Sequence, residues 1–178
     1  MSRVGRQPVA IPKGVSVELE GNRLTVKGPK GSLEREFHPD MKVLVEGDSI
    51  RVLRPSDSRI HKSLHGLTRA LIANMVHGVT EGYEKALEMS GVGYRVTKSG
   101  DKVILNLGFA KPVEIEPPRG ITIDVVSPTS LVIRGTDKEV VGELAARIRR
   151  LRPPEPYRGS GIKYVGERIR RKAAKAAK

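Results

Sequence analysis

Residues 134–152 read RGTDKEVVGELAARIRRLR, and residues 54–72, RPSDSRIHKSLHGLTRALI, stand 80 positions earlier. Each stretch leaves the end of an apolar strand pattern, passes a turn and a cap, and enters hydrophobic residues at helical spacing. In the earlier copy Ser56 and Asp57 offer the cap, Ile60, Leu64, Leu67, Leu71 and Met75 form the stripe, and Gly78 is the expected stop. In the later copy Arg134-Gly135-Thr136-Asp137 repeats Arg54-Pro55-Ser56-Asp57, and Val140, Leu144 and Leu151 take the places of Ile60, Leu64 and Leu71. Agreement of strand end, cap and stripe at one offset points to a duplicated unit.

Upstream of each helix the period changes from helical to alternating. Val15, Val17 and Leu19 point one way, Gly21-Asn22 turns the chain, and Leu24 and Val26 complete a hairpin. After the turn Gly28-Pro29-Lys30-Gly31 come short strands at Leu33–Phe37, Val43–Val45 and Ile50–Leu53, with Gly47-Asp48 closing the last hairpin. In the second half Gly100-Asp101-Lys102-Val103 stands where Gly21-Asn22-Arg23-Leu24 stood. The expected fold is α+β: two duplicated domains, each a small, mainly antiparallel sheet covered by one helix, with a basic C-terminal loop and tail. The expected divisions are an N-terminal arm at 1–14, repeats at 15–82 and 83–152, and the loop and tail at 153–178.

The 178 residues are 38% hydrophobic, enough for packed cores. With two Phe, four Tyr and no Trp, those cores must be aliphatic. The absence of cysteine excludes disulfides and thiolate metal sites and suits a reducing compartment. No run approaches the roughly 18 apolar residues of a membrane span, and the Met1 end lacks the apolar core of a signal peptide. A soluble, cytoplasmic protein is expected.

Charge is concentrated at one end. The formal net charge is +13, yet residues 147–178 alone hold twelve cations against Glu155 and Glu167. Cations at a helix C-terminus are favoured by about 0.3–1 kcal/mol each, which accounts for one or two of Arg147, Arg149, Arg150 and Arg152. It does not account for four of them followed by a basic loop and tail, so a polyanion is expected against this segment. Pro153 and Pro154 end the helix, and Gly159 and Gly161 are expected to let a sugar-phosphate backbone approach. Arg147, Arg150, Arg152, Arg158 and Lys163 are the expected phosphate contacts, Ser160 can bond a phosphate or 2′-hydroxyl, and Tyr157 and Tyr164 can pack on sugar or base. Arg168, Arg170, Arg171 and Lys172 extend the candidate RNA site into a tail expected to be frayed until it meets the polyanion.

Other motifs carry less. His61 and His65 have the i, i+4 spacing of a metal grip but no third ligand, so both are expected as surface histidines. Gly28–Ser32 lacks the order of a phosphate loop, and Gly91-Val92-Gly93 lacks the third glycine of a dinucleotide site and reads as close backbone packing. No nucleophile motif is present, so neither an enzyme nor a cofactor is expected. A nuclease would need clustered carboxylates, which the basic half lacks. A peripheral membrane protein would need an apolar face that Arg168–Lys178, with Ile169 and alanines, does not supply. The alternative to a specific RNA partner is a generic basic RNA-binding or anionic-membrane-surface protein.

Residues 154–164, PEPYRGSGIKY, resemble the PEPYKGKGIRY signature of the bacterial large-subunit ribosomal protein six family. The likeness extends over nearly the whole chain through Ser2-Arg3-Val4-Gly5, Val26–Gly31, Gly91-Val92-Gly93-Tyr94-Arg95 and Asn106-Leu107-Gly108-Phe109. Arg158 and Lys163 exchange the usual lysine and arginine, Ser160 stands for a usual lysine, and Ala110-Lys111 replaces a common Ser-His pair before Pro112. The resemblance implies two duplicated domains in the 50S subunit. It also implies binding to 23S rRNA chiefly through the second domain, near the sarcin-ricin loop and the stalk base, with neighbouring large-subunit ribosomal proteins as partners and no membrane or small-molecule substrate.

Overall fold

The computed structural model describes residues 3–172. They form two units, one built on residues up to Gly82 with Thr136–Lys138, the other on Tyr83–Gly135 with the residues from Glu139 onward.

The first unit contains β1 (Val9–Ala10), β2 (Ser16–Glu20), β3 (Arg23–Gly28), β4 (Gly31–Glu36), β5 (Lys42–Glu46), β6 (Ser49–Leu53) and α1 (Arg59–Thr80). Its strands form two antiparallel sheets, a meander β2-β3-β4 and a sheet ordered β1-β6-β5. The arm read from residues 1–14 therefore contributes a strand, with Val9 opposite Ile50 and buried. Leu24, Val26 and Ile50 from the strands and Met41 just before β5 share one core with Ile72, Met75, Val76 and Val79 of α1.

Helix α1 departs from the sequence reading at both ends and in its facing. Its N-cap is Ser58, whose side chain accepts from the His61 amide at 3.1 Å, because Asp57 is engaged by Arg54. It passes through Gly78 and stops two residues later. Gly82 supplies the positive φ of +79°, and the amides of Glu81 and Gly82 both bond the His77 carbonyl. The buried face runs through His65, Thr68, Ile72, Met75, Val76 and Val79, so Ile60 and Leu67 of the expected stripe lie outside, 68% and 54% exposed.

Burial of His65 overturns the expectation of a surface histidine. Its Nε2–H donates to the Val52 carbonyl at 2.8 Å and Nδ1 accepts from Arg54 Nη1 at 2.8 Å, so both ring nitrogens are satisfied inside the unit. His61 turns elsewhere, toward Ser56 Oγ and Asp40.

The second unit repeats this plan. It contains β7 (Tyr83–Ser90), β8 (Arg95–Ser99), β9 (Lys102–Asn106), β10 (Val113–Ile115), β11 (Ile121–Ser127), β12 (Ser130–Gly135), α2 (Lys138–Leu151) and β13 (Gly161–Tyr164). The meander β10-β9-β8 matches β2-β3-β4, and β7, β12 and β11 adjoin in the order of β1, β6 and β5. The turns match as well: Gly21 and Gly100 close equivalent hairpins with φ of +61° and +62°. The fold is thus α+β with two duplicated domains. Along α2 the buried residues are Val141, Leu144, Ala145 and Ile148, one step from the expected Val140.

Strand β13 is the addition. It pairs antiparallel with the free edge of β7, placing Gly161 opposite Ser90 and Tyr164 opposite Leu87, with Ile162 wholly buried in the core. Residues 161–164 are consequently a strand rather than part of a loop. Alternation decides which side chains they can offer.

Candidate nucleic-acid interface

The end of α2 leads straight into the candidate site. Arg147, Arg150 and Arg152 are exposed because Leu144, Ile148 and Leu151 turn the opposite face of the helix toward the core. Arg149, one position out of phase, points back. Its guanidinium grips Glu167 in a fork, Nε to Oε2 at 3.0 Å and Nη2 to Oε1 at 2.5 Å, and lies 5.7 Å from the centre of the Tyr164 ring. Glu167 also accepts from the Tyr164 amide at 3.0 Å. These bonds, the Arg149 fork first, hold the Glu167 carboxyl below its ordinary value, and Glu167 raises the Arg149 guanidinium in return.

Between α2 and β13 the chain makes a closed loop organised by Glu155. Its carboxylate accepts from the amides of Tyr157 and Arg158 at 3.1 and 2.6 Å, while its backbone exchanges bonds with Ser160 and Gly159. The amide bond from Tyr157, then that from Arg158, lowers the Glu155 carboxyl below its ordinary value. The loop is sealed by the Ile162 amide on the Arg152 carbonyl at 2.7 Å. One of the segment's two carboxylates thus turns its charge onto its own backbone, and the other is held by Arg149.

The sequence-read residues divide accordingly. Arg147, Arg150, Arg152, Arg158, Arg168, Arg170, Arg171 and Lys172 are all exposed, and none of them pairs with a carboxylate among the described residues. Arg152 instead lies over the Phe109 ring, 5.4 Å from its centre. Tyr157 is 58% exposed. Lys163 pairs with Glu88 across the sheet at 2.7 Å, and Tyr164 is half-buried against the core with Lys85 and Arg149 over its ring. Ser160 is half-buried. Gly159 and Gly161 are both buried: a Cβ on Gly161 would fall 2.6 Å from the Pro153 carbonyl oxygen, and one on Gly159 3.1 Å from Arg171 Nη2. Their first task is to let the chain close on itself.

The tail is tied down as far as it is described. Glu167 anchors it to α2, Arg171 lies over Gly159, and the Lys172 amide bonds the Pro156 carbonyl at 2.8 Å. These contacts lie in residues 166–172, within the stretch expected to fray; Lys175 and Lys178 lie outside the described residues. No charge-count argument could have foreseen this, since it depends on where Glu167 lands.

Within the described residues no three His, Asp or Glu side chains gather as a metal cluster, and no helix is long and apolar enough to cross a membrane. What the surface offers is exposed guanidinium without carboxylate partners among the described residues, a chemistry suited to phosphate oxygens.

Comparison with known proteins agrees with the duplication and the signature. The family model described as Ribosomal protein L6 matches residues 11–82 and again 90–165. The large ribosomal subunit protein uL6 of Carboxydothermus hydrogenoformans is 58% identical over 175 residues, covering 98% of this chain and 96% of that protein. The protein of the same name from Caldicellulosiruptor bescii is 58% identical over 178 residues, covering 100% and 98%. That from Shouchella clausii is 57% identical over 178 residues, covering both chains in full. The chain belongs to the ribosomal protein L6 family.

Proposed function

We propose that this chain is a structural constituent of the large ribosomal subunit that holds 23S rRNA through its second unit. In this reading the contact lies near the sarcin-ricin loop and the base of the stalk, beside neighbouring large-subunit proteins, and supports subunit assembly and the factor-binding region. Family membership and the names of its relatives support the ribosomal part. One observation carries the RNA part: eight exposed cations from Arg147 to Lys172 have no carboxylate partner among the described residues, whereas the two carboxylates of the segment are already engaged.

Arg147, Arg150, Arg152, Arg158, Arg168, Arg170, Arg171 and Lys172 neutralise phosphates in this reading, and Tyr157 packs on a sugar or base. Lys163 reaches RNA only by sharing or leaving Glu88. Tyr164, Gly159 and Gly161 act by shaping the loop, and Ser160 offers its hydroxyl from a half-buried position. The protein works by shape and charge, with no catalytic step, cofactor or small-molecule substrate.

The test is a salt titration of binding to a 23S rRNA fragment. Counterion release predicts a log-log slope of roughly 0.7–0.9 per phosphate neutralised, with each removed arginine lowering it by that amount. A flat response between low and high salt, or an Arg150→Ala protein that binds like the parent, overturns the reading.

A further inference from the structure

Two exposed apolar side chains of the second unit, Val92 and Phe109, lie on short loops connected to the basic loop. Strand β7 ends at Ser90, paired with Gly161, so residues 91–93 leave the sheet beside the chain that closes the 153–160 loop. Val92 sits at the tip of that turn, fully exposed, between Gly91 and Gly93 with φ of +158° and +75°. The turn is braced from below. The Tyr94 ring fills the space over Gly91, where a Cβ would lie 2.9 Å from it, and also reaches Gly108. Gly108 carries Phe109, which is 43% exposed with Arg152 stacked on it.

The Tyr94 ring and the stack of Arg152 on Phe109 therefore link two short loops to the basic loop, and the three loops with their flanks carry Val92, Phe109 and Tyr157 together with Arg95, Lys111, Arg152 and Arg158. All four cations are exposed and none is paired with a carboxylate among the described residues. The single acid of these loops, Glu155, faces its own backbone amides.

We propose that Val92 and Phe109 form an apolar knuckle that packs against ribose or an unstacked base of the rRNA, while the surrounding cations hold the flanking phosphates. Charge complementarity selects RNA over a protein as the occupant, since exposed apolar side chains on loops that carry four exposed cations and no available acid fit a polyanion with exposed sugar and base faces. A fully exposed valine contributes nothing to the fold, and its two glycines place it without strain. The inference rests on the rRNA reading above and adds residues that net charge alone does not mark.

Apolar contacts release no counterions, and this separates the knuckle from the arginines. In the full-length protein Val92→Ser is expected to weaken binding to the 23S rRNA fragment about fivefold and Phe109→Ala about tenfold, with the salt slope unchanged. Arg152→Ala should lower both affinity and slope. Because the chain has no cysteine, Val92→Cys gives a single attachment point for a tethered hydroxyl-radical source, which should cut one local segment of the rRNA, whereas the same probe at Lys27→Cys should not. Thermal unfolding of Val92→Ser should match the parent. If Val92→Ser and Phe109→Ala bind like the parent and the tethered probe cuts nothing, while Arg150→Ala still weakens binding, the knuckle is wrong and the rRNA reading stands. If the arginine variant also binds like the parent, both fall.

Discussion

The two units are built on one plan and differ in what they do with positive charge. In the first, the strand cations Arg23, Lys27 and Arg51 find acids on neighbouring strands, Glu34, Glu18 and Glu46, and the largely buried Arg54 pairs with Asp57 in the turn before α1. In the second, the strands do the same, with Arg134 between Glu84 and Asp124 and Lys163 on Glu88, but eight exposed cations between Arg147 and Lys172 have no carboxylate partner among the described residues. The structural difference is β13. Where the first unit ends its sheet with the two-residue β1, the second extends β7 to eight residues and adds a strand from beyond the helix. Duplication supplied the scaffold, and the chain added to one copy supplied the charge and an anchor for it.

The contrast is broken most severely by removing the charge. Arg150→Ala, Arg152→Ala and Arg158→Ala combined should weaken rRNA binding by two to three orders of magnitude at low salt and lower the slope by roughly 2–2.7, read by filter binding across a salt series. Next comes the anchor. Gly161→Val puts a side chain 2.6 Å from the Pro153 carbonyl oxygen at a φ of +144°, and should cost about 3 kcal/mol in denaturant unfolding while freeing β13 from β7. Hydrogen exchange at the Ile162 and Tyr164 amides reports the detachment; protection equal to the parent's would mean the strand is held by something other than this close fit.

Smaller effects sharpen the same line. Glu167→Gln removes the partner of Arg149 and should cost about 1 kcal/mol, with faster exchange at Tyr164 and Lys172. Acid should imitate it. Glu155 and Glu167 have folded values below their ordinary 4.5, so the stability they give is present above that pH and is lost as pH falls through the lowered values. Exchange protection of residues 155–172 should therefore fade in acid before that of β11 and β12, and parallel fading would contradict it. The smallest effect belongs to Lys27→Ala. Its cation is exposed and already paired with Glu18, so both stability and rRNA affinity should change by less than about 0.5 kcal/mol.

The first unit's hairpins from Ser16 to Leu53 and their turns were legible because their signals are local, whereas β1 and β13, which only pairing with β6 and β7 defines, were not. Alternation and a turn glycine are written in consecutive residues, and equivalent positions such as Gly21 and Gly100 carry them twice. The facing of α1 was not, since Ile60 and Leu67 are as apolar as Ile72 and only packing against β3 and β6 decides which side is covered. His65 was missed for a related reason. A histidine enters a core only where both nitrogens find partners, and those, Val52 of β6 and Arg54 just beyond it, lie outside the helix. At the site, the excess cations could be counted in the sequence, but which of them stay unpaired could not.

Composition and order by themselves determined the duplication, the aliphatic cores and the pile of cations at one end, because each is a property of spacing or count. Tertiary structure alone decided that Gly161–Tyr164 is a strand, that Arg149 and Lys163 are tied to Glu167 and Glu88, and that Phe109 lies under Arg152. An ion pair or a shared surface is a relation between residues far apart in the chain. Only folding brings their charges within reach, where energy depends on a few ångströms.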